Sequence, residues 1–126
     1  MTVIIIPARL SSKRLPNKPL LDAGDGKSIL WHTYNQAIKT GFDTYVTSSD
    51  YGICHYCDKN NIPYIQTEDV DCGTHRCILA AKQLNHKESL INLQVDYPEI
   101  HPETLKLLES YIEMYGTIVS ALYMAE

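Results

Sequence analysis

Four β-branched residues in succession, Val3-Ile4-Ile5-Ile6, restrict the fold more than any other feature of the chain. A strand with one wet face alternates apolar and polar residues, and this run does not alternate. It therefore predicts a strand buried on both faces of a parallel sheet. Parallel neighbours cannot be joined by a tight hairpin. They need crossovers of a dozen or more residues, usually helical, so the remainder of the chain must supply amphipathic helices between further short strands.

It does so in regular order. Ala23-Gly24-Asp25-Gly26 reads as a turn. Ser28 is placed to cap a helix running to about residue 40, with Leu30, Tyr34, Ala37 and Ile38 inward and Gly41 at its end. Residues 43–48 read as a second strand, and Ser49 or Asp50 caps a second helix over about 50–60. A short third strand is expected at 62–66, a polar loop at 67–73, and a helix at about 74–85 with Ile78, Ala81 and Leu84 inward. Residues 88–95 form the fourth strand, ending at Asp96-Tyr97-Pro98. Pro102 then opens a helix with Leu105, Leu108, Ile112 and Tyr115 inward, stopped by Gly116, and 117–124 is the fifth strand. No internal repeat or low-complexity segment interrupts this order. The expected fold class is α/β: one domain over 1–126 with a three-layer, doubly wound, mostly parallel sheet. Strands one and four should then lie side by side at the switch point, where open α/β sheets place their ligands.

Composition narrows the partners. A formal net charge of −4 argues against nucleic-acid binding through a basic face. No apolar run approaches the ~20 residues that span a bilayer, and residues 1–10 read as a strand and not as a signal peptide. No membrane association and a cytoplasmic location are the default expectations. Four cysteines, Cys54, Cys57, Cys72 and Cys77, loosely resemble zinc-ligand spacing, but the C-x-x-C pair falls inside a helix. Buried thiols are the favoured reading, with a zinc or redox module as the weaker one.

Against the acidic background, the segment after the first strand stands out. Arg9, Lys13, Arg14 and Lys18 lie within ten positions, among Ser11, Ser12, Pro16 and Asn17. A cationic loop at the carboxyl end of a central strand suits a polyphosphate; the alternative is a solvated basic loop. Gly26-Lys27-Ser28 lacks the first glycine of a Walker loop, since Leu21 stands there, and reads as a turn with a helix cap. Cys72-Gly73-Thr74-His75-Arg76 lies at a helix start, where glycine and free amides let a base or phosphate approach closely. An exposed first-turn histidine is the safer reading of His75. Asp96 closes the fourth strand; such an aspartate holds a hard metal ion or a ribose, or merely caps a turn.

Together these residues resemble a known family. Ile-Ile-Pro-Ala-Arg followed by Ser-Ser-Lys-Arg-Leu-Pro-Asn-Lys-Pro-Leu is similar to the opening of the 3-deoxy-manno-octulosonate (KDO) cytidylyltransferases, I-I-P-A-R-x-x-S-x-R-L-P-G-K-P-L. Cys72–Arg76 resembles their S-G-T-[DE]-R, and Asn92-Leu93-Gln94-Val95-Asp96-Tyr97-Pro98 resembles N-V-Q-G-D-E-P. The resemblance implies a nucleotide-diphospho-sugar transferase-like fold, here the N-terminal half of the family's domain and cut off after the fifth strand. It also implies CTP and a sugar acid such as KDO as substrates, Mg²⁺ as cofactor, and transfer of CMP with release of pyrophosphate. By match, Arg9, Arg14 and Lys18 hold the triphosphate with Ser12 beside them. Gly73, Thr74 and Gln94 line the cytidine site, and Asp96 binds the metal. Arg14, Lys18 and Asp96 are thus the expected catalytic residues.

Several positions depart from the pattern: Asn17 and Val95 replace glycines, Cys72 a serine, and His75 and Tyr97 acids. Val95 is expected to crowd the approach of ribose or metal. Because an unfinished sheet exposes an apolar edge, a homo-oligomer or a partner chain is expected. The alternative from another class is a non-catalytic nucleotide-binding or assembly module that retains the fold.

Overall fold

A computed structural model describes residues 2–10, 18–68, 73–84, 90–95, 99–115 and 119–120 of the chain; for 73–75, 108, 110–115 and 119–120 it describes the backbone alone. The strands are β1 (Val3–Pro7), β2 (Asp43–Ser48), β3 (Tyr64–Gln66), β4 (Leu90–Asn92) and β5 (Val119–Ser120). They form one sheet in the order β3-β2-β1-β4-β5, and every pairing is parallel. Val3 opposes Asp43 on one side and Leu90 on the other. The β-branched run is therefore the middle strand, and Ile4, Ile5 and Ile6 are fully buried.

Among the described residues the helices are α1 (Ile29–Ile38), α2 (Tyr51–Lys59), α3 (Gly73–Gln83) and α4 (Pro102–Tyr115), with a 3-10 turn at Lys18–Leu20. Alternation along β1 separates two cores. Ile4 and Ile6 pack with Leu30 and Ala37 of α1, Ile53 and Cys57 of α2 and Leu105 of α4. Val3 and Ile5 pack with Cys77 and Ala80 of α3. The molecule is thus three-layered, with α1, α2 and α4 on one face of the sheet and α3 on the other.

The local signals act as expected at most ends. Ser28 caps α1 by accepting the Trp31 N–H at 3.0 Å. Gly41 follows at φ +84, in the left-handed region where a side chain is disfavoured. The turn before α1 is closed by Asp22, whose carboxylate accepts the Gly24 and Gly26 N–H groups, so the Gly-Lys-Ser triplet is a turn and a cap.

Two inward faces are rotated from their expected positions. Ile38 and Ile78, both expected inside, are 41% and 38% exposed. Buried polar residues on the same helices, Thr33 of α1 and Arg76 of α3, take up the inward direction instead. β4 is shorter than the expected 88–95, and Ile62 is buried but precedes β3. The expected inward positions Leu108, Ile112 and Tyr115, the rest of the fifth strand and the expected helix stop at Gly116 lie outside what is described.

Candidate functional site

The strand order reverses between β1 and β4, and their carboxyl ends define the crevice. On the β1 side the chain leaves the sheet through Ala8, Arg9 and Leu10. The Ala8 N–H donates to the Thr47 carbonyl of β2 at 3.0 Å. The Leu10 N–H donates to Asp50 Oδ2 at 2.8 Å. Arg9 is held between these two anchors, its side chain exposed. Lys18 is half-buried where the 3-10 turn rejoins the fold.

On the β4 side, the Leu93 N–H donates to the Ile5 carbonyl at 3.1 Å, carrying the alignment with β1 one residue past the strand. Gln94 is half-buried and its Nε2 donates to Oδ1 of the buried Asn92 at 3.1 Å. Val95 is buried in the core shared by α1, α2 and α4. Thr33, itself fully buried on α1, donates its hydroxyl to the Val95 carbonyl at 2.8 Å.

The third wall is the start of α3, whose first residues are Gly73 and Thr74. Beneath it Arg76 is buried and its guanidinium donates to Thr67 Oγ1 at 3.2 Å. The Thr67 and Thr47 hydroxyls lie 3.2 Å apart, and Thr47 donates to the Ile65 carbonyl at 2.9 Å. This chain of hydroxyls ties the α3 start to the carboxyl ends of β2 and β3.

The sheet thus gathers Arg9, Lys18, Gln94 and the Gly73–Thr74 backbone at one edge. Ser12, Arg14 and Asp96 lie outside the described residues. This edge sets the cations Arg9 and Lys18 on one side and fixed polar groups on the other, at the end of the sheet where open α/β folds place their ligands.

The sequence profile of the cytidylyltransferases matches residues 3–121, nearly the whole chain. The chain belongs to the cytidylyltransferase family. A 3-deoxy-manno-octulosonate cytidylyltransferase of Wigglesworthia glossinidia brevipalpis is 33% identical over 124 residues, covering 95% of this chain and 51% of that protein. That of Rhodopirellula baltica is 39% identical over 107 residues, covering 82% and 42%. A solved structure of CMP:2-keto-3-deoxy-manno-octonic acid synthetase complexed with CTP superposes at a TM-score of 0.84 with 31% identity, over 92% of this chain and 48% of that one. A cytidylyltransferase from Leptospira borgpetersenii superposes at 0.77 with 25% identity, over 90% and 49%. The chain spans about half the length of the relatives it matches.

The structure corrects one expectation about the crevice. Val95 does not crowd it: the side chain points into the α1 core, because alternation along the strand end gives residues 93 and 95 the same inward face. The thiols are also placed. Cys54 and Cys57 are buried on α2, whereas Cys77 is buried under α3 on the opposite face, where its Sγ lies 3.8 Å from the Ile5 carbonyl. The sheet lies between them, so these three cannot share one metal ion. Burial first, and then the neighbouring Cys54 and Asp58, push the Cys57 thiol up to about 12, far from a reactive thiolate. Cys72 lies outside the described residues.

Sequence reasoning passed over Thr33 and foresaw none of the bonds that Asp50, Asn92 and Arg76 make. Asp50 was legible as a helix cap, but its carboxylate serves Leu10 and makes no cap bond. A polar residue within a buried strand, Asn92, or on an inward helical face, Thr33, was the available signal.

Proposed function

We propose that this chain binds CTP at the β1–β4 switch point and serves the transfer of CMP to a sugar acid of the KDO class, with release of pyrophosphate. The observation that carries this reading is the parallel pairing of β1 with β4 at the switch point. The chain leaves β1 through Arg9 beside the β4 end that runs on to Gln94, in a fold that superposes on a CTP complex at a TM-score of 0.84. Arg9, Arg14 and Lys18, with Ser12, hold the triphosphate; Arg offers forked donors and Lys a point charge. Gly73, Thr74 and Gln94 line the cytidine side, and Asn92 fixes the direction of the Gln94 amide.

Asp96 fits the proposed Mg²⁺ site chemically. Its carboxylate is a hard oxygen donor, and Mg²⁺ is commonly held by one or two carboxylates plus substrate phosphates. The Thr33 hydrogen bond fixes the preceding carbonyl and so the point from which Asp96 departs. When bound, the ion neutralises charge on the phosphate oxygens. In the transfer, the sugar hydroxyl oxygen bonds to the α-phosphorus, the bond from that phosphorus to the pyrophosphate oxygen breaks, and the hydroxyl proton passes to water. No protein nucleophile is needed; the residues position the reactants and balance charge.

Titration calorimetry with CTP, UTP and ATP, each with and without Mg²⁺, tests the reading. CTP should bind in preference, and Asp96→Asn should lose the Mg²⁺ dependence while the fold is kept. Equal affinity for all three nucleotides, or none for CTP, would refute it.

A further inference from the structure

Helix α2 begins with an aspartate in the extended conformation suited to a cap, at φ −86 and ψ 125, yet the Asp50 side chain caps nothing. Its carboxylate reaches a residue forty positions earlier and accepts the Leu10 N–H. Two residues on, Gly52 lies under the Leu10 side chain. A Cβ built on Gly52 would meet Leu10 Cδ1 at 2.6 Å, well inside contact distance.

We infer that Asp50 is a positioning residue for phosphate binding: it docks the root of the cationic loop on α2 and so holds Arg9 at the crevice. The inference rests on the functional reading above. Arg9 lies between two clamped neighbours, Ala8 on Thr47 and Leu10 on Asp50. A cation whose backbone is already ordered loses less freedom when it meets a phosphate. The arrangement also explains an otherwise unfavourable choice. A carboxylate near a polyphosphate site repels the ligand, and Asp50 is retained there as an acceptor for a backbone N–H. Charge and anchoring therefore predict opposite effects of its removal.

The test uses inorganic tripolyphosphate, CTP and cytidine as calorimetric ligands, with amide hydrogen exchange at Leu10 as a ligand-free readout. Asp50→Ala should weaken tripolyphosphate and CTP by about tenfold, the scale of one lost hydrogen bond to a charged group, and leave cytidine unchanged. Leu10 exchange should accelerate. Asp50→Asn, which keeps an acceptor oxygen and drops the charge, should stay near the parent in both readouts. Gly52→Ala, whose added methyl meets only the movable end of the Leu10 side chain, should stay near the parent in phosphate binding. A parent that binds tripolyphosphate with an Asp50→Ala variant that binds it equally well or better overturns the inference alone. So does unchanged Leu10 exchange in Asp50→Ala, whatever the ligands do. A parent that binds neither tripolyphosphate nor CTP overturns the functional reading, and the role in phosphate binding with it.

Discussion

Thr33→Val removes one hydroxyl from the interior and changes the shape little. The hydroxyl sits 2.8 Å from the Val95 carbonyl and 3.1 Å from that of Ile29. The Ile29 carbonyl keeps its helical N–H partner when the hydroxyl goes. The Val95 carbonyl, on a buried residue, loses a donor at a place with little access to water. Leaving a buried acceptor unpaired costs about 1–3 kcal/mol, and the added methyl recovers up to about 0.8 kcal/mol. A net loss of about 1–2 kcal/mol is expected. For 126 residues the unfolding entropy makes each kcal/mol about 4 °C in Tm, so the midpoint should fall by about 4–8 °C. Urea denaturation gives the free energy and calorimetry the midpoint. Since Val95 immediately precedes Asp96, the variant should also need more Mg²⁺ for CTP binding at temperatures where it is fully folded. A variant as stable as the parent would refute the reasoning: the carbonyl would then be satisfied by something other than Thr33.

Two further outcomes follow from the burial pattern. Val95→Gly should destabilise by about 2–4 kcal/mol, from lost core burial and backbone freedom, without any gain in CTP affinity; tighter CTP binding would return Val95 to the crevice. The Cys57 thiol, raised by burial from 9.0 to about 12, binds its proton more tightly in the folded chain. Its contribution is fully present below pH 9.0 and is lost as the pH rises from there toward about 12. Urea midpoints should therefore fall less steeply with alkaline pH in Cys57→Ala than in the parent, and parallel curves would count against a buried neutral thiol.

Most of the fold was legible because strands and helices declare themselves by period. Residues 43–48 were readable as a strand, and the unbroken Val3–Ile6 run marked the middle of the sheet. What periodicity could not give was the rotation of α1 and α3. An apolar count places Ile38 and Ile78 inside, but tertiary hydrogen bonds draw Thr33 and Arg76 inward and turn those isoleucines toward water. The same blindness produced the error at Val95. A motif comparison sees a β-branched residue in place of glycine and infers a clash, whereas the direction of a side chain at a strand end depends on register.

The site was legible as a list of residues and not as a construction. Its motifs are contiguous in sequence, so Arg9, Lys18, Gly73, Thr74 and Gln94 could be named. The bonds that hold them in place join Leu10 to Asp50 and Thr33 to Val95, far apart in the chain, and Arg76 of α3 to Thr67 across the intervening loop. No local pattern encodes such pairs. Sorted by layer, they divide the work. The root of the cationic loop stands on α2 and the end of β4 on α1, both on one face of the sheet. The start of α3 is held from the opposite face, through Arg76 and the Thr67–Thr47 hydroxyls. Substitutions at Asp50 or Thr33 should therefore act on phosphate and metal binding, while substitutions at Arg76 or Thr67 should act on the cytidine side. The two classes meet at the end of β2, where the Asp50 N–H donates to Ser48 Oγ and the Thr67 N–H to the Ser48 carbonyl, so their effects on CTP affinity should couple. Strict additivity of Asp50→Ala and Thr67→Val would show that the two faces of the sheet act separately in spite of that shared neighbour.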